Sequence, residues 1–306
     1  MTFGMLLKSY KDDFHLASRL MDSFNKHNAQ GISLYCVVPE EDLDVFGGLA
    51  SQTVTVLSER HFDEHFTDES VNGIRAGYVN QEIVKLAFWE MGLVDNYFCV
   101  DSDAVFIHDF GETDFIAPDG YPYTVLVEDK DLITDPEYFH TYWQGREAAL
   151  QQMAAEIGWH FPIIRTCHGH QVFNSDVLRS FKSDFLEPRG WDYLDALTLA
   201  PYEFSWYNLW LQSQEVIPIH AREPYVKVFH SARQHIEHIL SGTDERDLAR
   251  AYVAVVVNSN YSREIKTVPL SAGKSESLAP YLSYTELLKT LGVKVRASLQ
   301  SLGKSS

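Results

Sequence analysis

The sequence predicts an α/β protein whose mostly parallel sheet is flanked by helices, and three observations carry that reading. Short apolar runs alternate with helix-period segments through the first hundred residues. With 45% hydrophobic and 22% charged residues, the composition is that of a globular chain, and 306 residues suffice for a sizeable core in one large domain or two small ones. No internal repeat, low-complexity tract or Pro/Gly/Ser-rich linker interrupts the alternation.

Residues 2–8 form the first apolar run. They lack a basic leader and lead directly into charged residues, so they read as a strand and not a signal peptide. Ser9 to Asp13 is a loop and helix start, after which Leu16, Leu20, Met21 and Phe24 fall at helical spacing. A second strand spans 32–38, ended by Pro39, and a third spans 53–57. Val79, Ile83, Leu86 and Ala87 mark one face of the next helix, and 96–100 is a fourth strand. This βαβ order predicts a parallel sheet covered on both sides, with ligands beyond the carboxyl ends of the strands. That rule points to Ser9–Asp13 and to Asp101–Asp103, which converge only if the first and fourth strands are neighbours.

The second half is less regular: a strand over 123–127, helix over 137–157, a short strand at 171–174 before a helix from Asp176, an aromatic-rich helix over 202–212 and a strand at 216–219. No composition shift marks a boundary. The expectation is one domain over 1–280, with a nucleotide-binding half at 1–110 and an acceptor half at 111–280, followed by a tail at 281–306.

The formal charge of −18 argues against nucleic acid as a partner, since that binding depends on cations neutralising phosphates. Cys36, Cys99 and Cys167 form no CxxC pair and read as buried or inert thiols of a reducing compartment, hence a cytoplasmic expectation. No run of about 18 apolar residues suggests a membrane span. In the tail, Lys289, Lys294, Arg296 and Lys304 oppose one acid, Glu286, while Leu287, Leu288, Leu291, Val295 and Leu299 recur in a helix-like way. This is either a peripheral contact with anionic lipid at the inner membrane face or a helix packed on the domain.

The chemistry centres on Tyr97-Phe98-Cys99-Val100-Asp101-Ser102-Asp103-Ala104-Val105-Phe106, two acids set between apolar strands. Carboxylates this close at the edge of a core repel and lose solvation unless a cation offsets both. A divalent metal with oxygen ligands does so and can hold a diphosphate as well. The same pattern is also met as a simple solvated acidic turn.

The segment resembles the DxD signature of GT-A glycosyltransferases. The opening Phe3–Asp13, the strand Ser33–Pro39 and the helix Asn80–Leu86 are similar, in order, to a bacterial group of GT-A-like proteins labelled DUF6492. So are His168-Gly169-His170, Asn174-Ser175-Asp176 and Tyr202-Glu203-Phe204. The likeness covers about residues 2–230, and only the DxD is diagnostic by itself. It implies a Rossmann-like GT-A fold and a Mn²⁺- or Mg²⁺-dependent transferase. Such an enzyme moves a sugar, a hexose favoured, from a nucleotide-diphosphate donor, UDP-sugar favoured, to a glycan or lipid-linked glycan.

Under that resemblance, Asp103 binds the metal and Asp101 contacts the metal or the ribose, with His230, at the end of a β-like run, as the late third ligand. Lys8, Ser9, Tyr10 and Ser102 line the donor pocket, although Tyr10 reads equally as a turn residue packed on the helix. Gln81 and Lys85, four apart on one helix face, reach the DxD or the diphosphate, and Lys227 serves a phosphate. Otherwise Lys85 is an ordinary solvated lysine. His168, His170 and Asn174 bond sugar hydroxyls or cap a turn. Trp206 offers a ring to the acceptor, and Glu203 is either its general base or a surface residue at a helix start. Two other readings stand beside this one. A phosphohydrolase would use the DxD as a nucleophile motif, but such motifs end the first strand and precede Gly-Thr. A non-catalytic protein would bind metal or nucleotide-sugar on the same scaffold.

Overall fold

The computed structural model describes residues 1–127, 130–135, 138–160, 170–230 and 232–258. His168, Cys167 and the tail at 281–306 lie outside them. The described chain is mixed α/β, with a mostly parallel central sheet flanked by helices. Its described residues divide into two compact units, one within 1–102 and 109–225, the other within 103–108 and 226–258. The division is discontinuous, with six residues after Ser102 belonging to the second unit.

The first unit is built on a five-stranded sheet formed by β1 (Phe3–Lys8), β2 (Ser33–Val38), β3 (Val54–Ser58), β4 (Asn96–Val100) and β7 (Val172–Asn174), in the order β3-β2-β1-β4-β7. The first four are parallel and β7 closes the edge antiparallel. All five residues of β4 are buried, as are the four inner residues of β1, which is why these central strands read as continuous apolar runs. The Phe14–His27 helix buries Leu16, Ala17, Leu20, Met21 and Phe24. It ends at Asn28, whose side chain accepts the Ile32 N–H and donates to the Ile32 carbonyl, turning the chain into β2. Where residues 216–219 read as a strand, the structure has one at His220–Arg222 (β8), parallel to Tyr123–Val125 (β6). Pro218 has no N–H for a ladder, so pairing starts beyond it.

The Glu203–Gln214 helix runs through the densest part of the core. Its first ten residues are buried. Trp206 is fully buried, and its indole N–H donates to the carbonyls of Ala196 and Ala200. No ring face remains for an acceptor, which corrects the acceptor role expected of it. Asn174 is likewise structural: its side-chain oxygen accepts the Asp176 and Val177 N–H groups at the start of the Ser175–Ser180 helix, and its amide donates to Asn96.

The second unit has a three-stranded sheet formed by β5 (Ala104–Phe106), β9 (Val226–Phe229) and β10 (Ala254–Val257), in the order β5-β10-β9. Phe229, Leu248, Val255 and Val257 form its small core. The Ala232–Leu240 helix brings His235 and His238 against the Phe229 ring, at 5.0 and 4.9 Å. His235 is fully buried, and neither ring nitrogen has a hydrogen-bond partner among the described residues. Among the described residues, no helix is long and apolar enough to cross a membrane.

Two outcomes follow from these packings. Replacing Trp206 with Ala should lower the unfolding free energy by roughly 3–5 kcal/mol in urea titrations, as expected for a buried aromatic truncated to a cavity. Burial, then the neighbouring His238, pushes the His235 pKa down from 6.5 to about 4. A depressed histidine binds its proton more readily unfolded than folded. Stability is therefore full above pH 6.5 and falls as the pH drops towards 4. Urea midpoints measured across that window should show a slope that His235→Phe reduces.

Candidate functional site

The strand order places β1 between β2 and β4, so the chain winds one way from β1 to β3 and then returns to the other side of β1. The crevice beyond the carboxyl ends of β1 and β4 is thus a topological switch point, where open α/β sheets bind ligands. The pairing runs to Leu7 opposite Val100, which brings Ser9 level with Ser102. Their hydroxyls are 3.0 Å apart and both side chains are buried. The two segments that the sequence singled out separately are therefore neighbours. Ser9 also donates its N–H to the Val37 carbonyl, and Lys11 donates its N–H to the buried Asp42 carboxylate, fixing the loop after β1. Tyr10 lies between them in extended backbone, half-buried. Lys8 is committed elsewhere, with its ammonium 2.7 Å from Glu59, so it is not open to a donor phosphate as expected.

Beside this crevice lies a buried charge cluster. The Ala76–Ala87 helix packs Val79, Ile83, Leu86 and Ala87 into the core, and the same packing carries Glu82 and Lys85 inside. Lys85 is no solvated lysine. Its ammonium is 2.9 Å from Glu203, 3.3 Å from Asp101 and 3.7 Å from Glu82, and it lies 4.9 Å from the centre of the Phe204 ring. The Tyr97 hydroxyl donates to the Lys85 carbonyl at 2.7 Å and pins that turn to β4. Burial works against the ammonium, but Asp101, Glu203 and Glu82 together raise its pKa well above the usual lysine value, so it stays charged. Glu82 is the opposite case: burial first, then the negative charge of Glu203, pushes its pKa well up.

Asp101 is the open member, with its side chain one-third exposed. Gln81 donates to its Oδ1 at 3.4 Å, and His170 Nε2 is 3.6 Å from its Oδ2. Burial raises its pKa, but Lys85 and His170 outweigh it, so the carboxyl lies below the usual aspartate value. His170 has a left-handed backbone, φ 72°, uncommon outside glycine. The structure brings it to Asp101 and not into a free turn. Glu203, the first residue of its helix, is buried and held by Lys85, so its carboxylate faces the cluster and not an acceptor. Sequence reading missed Glu82, though its spacing of three from Lys85 on one helix face was there to be used.

In the second unit, β5 begins at Ala104 opposite Val256, which pairs with Val228 of β9. Because β5 is antiparallel to β10 and β9 is parallel to it, Asp103, just before β5, and His230, just after β9, lie at the same end of that sheet. β10 lies between the two strands, so Asp103 and His230 are set two strands apart. Lys227 sits within β9, its ammonium 5.5 Å from the centre of the Phe229 ring. Among the described residues, no three His, Cys, Asp or Glu side chains form a preformed metal cage. Cys36 and Cys99 are buried free thiols; burial pushes Cys36 up to about 12, and Cys99 is raised too.

Lys85→Met should destabilise the protein by roughly 3–5 kcal/mol, the cost of leaving buried carboxylates without their cation. Adding Glu203→Gln should recover part of that loss in a double-mutant cycle read by chemical denaturation.

Residues 4–268 match DUF6492, a family of unknown function, and the chain belongs to that family. Among curated proteins, none matches it.

Proposed function

We propose that this DUF6492 protein is a metal-dependent GT-A glycosyltransferase that moves a sugar from a nucleotide-diphosphate donor, with UDP-sugars favoured, to a glycan or lipid-linked glycan. One observation carries the reading. β1 and β4 are paired at the switch point, so that Ser9 and Ser102 meet beside Asp101 at one sheet edge. The left-handed backbone of His170 beside Asp101 adds support, since residues in rare conformations cluster at functional sites.

A bound Mn²⁺ or Mg²⁺ ion supplies Lewis-acid stabilisation of the charge that develops on a departing nucleoside diphosphate. The resemblance to GT-A enzymes is what assigns the ion to Asp103 and His230, which would hold it at one end of the second unit's sheet. Asp101 has each oxygen already facing a cationic or potentially cationic group, Lys85 or His170. It is therefore better suited to accept hydrogen bonds from the donor's ribose than to serve as the main ligand. Ser9 and Ser102 supply hydroxyls at the crevice floor, and Gln81 an amide beside Asp101. Glu203 acts through Lys85, holding the ammonium where it faces Asp101. The acceptor's general base is then a different group from Glu203.

Thermal-shift measurements over a nucleotide panel, each with and without Mn²⁺ or Mg²⁺, test the reading. UDP with metal should raise the melting temperature where neither alone does, and Asp103→Ala should abolish the metal-dependent part. No stabilisation by any nucleotide–metal pair would sink the proposal.

A further inference from the structure

Tyr78, Gln81, Glu82 and Lys85 are spaced i, i+3, i+4 and i+7 along the Ala76–Ala87 helix and so share one face. Three of the four are accounted for: Glu82 and Lys85 are buried in the charge cluster and Gln81 reaches Asp101. Tyr78, one turn nearer the helix start, is 42% exposed. Among the described residues its side chain makes no hydrogen bond, ion pair or ring contact, whereas many aromatic side chains of the same unit stack on each other. Its hydroxyl nonetheless feels the cluster. Glu82 above all, then burial, then Glu203 raise its pKa well above the usual tyrosine value, and Asp101 contributes in the same direction. Tyr78 therefore lies beside the charges on the same helix face, with its side chain open to solvent.

Singly exposed apolar side chains such as Val45, Leu93 and Leu240 are normal on a protein surface and mean nothing alone. Tyr78 differs by its place, at the rim of a cluster whose open member, Asp101, is surrounded by hydrogen-bonding groups. A ligand that fits must present an apolar face to the ring and polar groups to an amide and a carboxylate at the same time. A sugar ring does so: its axial C–H bonds cover an aromatic face while its equatorial hydroxyls point sideways.

We propose that Tyr78 is the platform for the transferred sugar, whose C–H face rests on the tyrosine ring while its hydroxyls bond Gln81 and Asp101. This rests on the glycosyltransferase reading and deepens it, because it names the residue that distinguishes a nucleotide-sugar from its bare nucleotide.

Isothermal titration with Mn²⁺ present separates the two claims. Wild type, Tyr78→Ala and Tyr78→Phe would each be titrated with UDP, UDP-glucose, UDP-galactose and UDP-N-acetylglucosamine. For the preferred nucleotide-sugar, Tyr78→Ala should weaken binding about tenfold, the scale of one aromatic contact, and leave UDP within about twofold. Tyr78→Phe keeps the ring and should retain most of the affinity. Because the side chain is exposed, both variants should melt close to wild type, which excludes a folding defect. An equal loss for UDP and nucleotide-sugar would overturn the proposal by making Tyr78 a nucleotide contact, as would no loss for either. Wild type that binds none of the four with metal would instead bring down the glycosyltransferase reading, and this inference with it.

Discussion

The arrangement of the first unit depends on one buried ammonium. Lys85 faces Glu203, Asp101 and Glu82 within 3.7 Å, and those groups come from the C-terminal part of one helix, the first turn of another and the end of β4. A cation in a low-dielectric interior is tolerated only when paired, and carboxylates grouped this closely are tolerated only around a cation. Each requires the other, so this cluster ties the sheet's carboxyl edge to the two helices packed beside it. The Tyr97 hydroxyl on the Lys85 carbonyl and the Phe204 ring beside the ammonium leave the side chain little freedom to leave.

The same constraint shapes what is open to a ligand. Glu82 and Glu203 are consumed by the interior, whereas Asp101, at the strand end, keeps a third of its side chain exposed and remains ionised. Ionisation of an aspartate among other carboxylates is unfavourable unless something compensates for it, and here Lys85 and His170 do. The cluster thus presents a carboxylate held ready at the switch point.

Much of the fold was legible in the sequence, and the reasons differ by region. The strands 32–38 and 96–100 were read close to where they lie because largely buried strands are near-continuous apolar runs with little to confuse them. The adjacency of β1 and β4 could not be read, because strand order is a tertiary choice that leaves no local trace. Trp206 and Asn174 were misassigned for a related reason: an aromatic in a fully buried helix and an asparagine capping one look like ligand contacts when only residue type and spacing are visible. Lys85 and Glu82 show the converse. Local spacing placed Lys85 on the right face, but only the fold, by burying that face, turns a surface pair into a charge cluster.

The strand that follows the DxD has an unusual dependence on the order of synthesis. Ala104–Phe106 finds its ladder partner in Ala254–Val257, about 150 residues later in the chain. While a ribosome is still making the last part of the stretch between, the five strands of the first sheet are already complete, but the residues from Asp103 onward have no sheet to join. The second unit can therefore close only once the chain has been made to residue 257 and released past it, and domains that wait in this way fold late and as a unit. The position of Asp103 is then a property of the finished polypeptide. A product stopped short of β10 would carry the whole first sheet, with Ser9 and Ser102 in place, and still lack the ladder that fixes Asp103 at the same sheet end as His230.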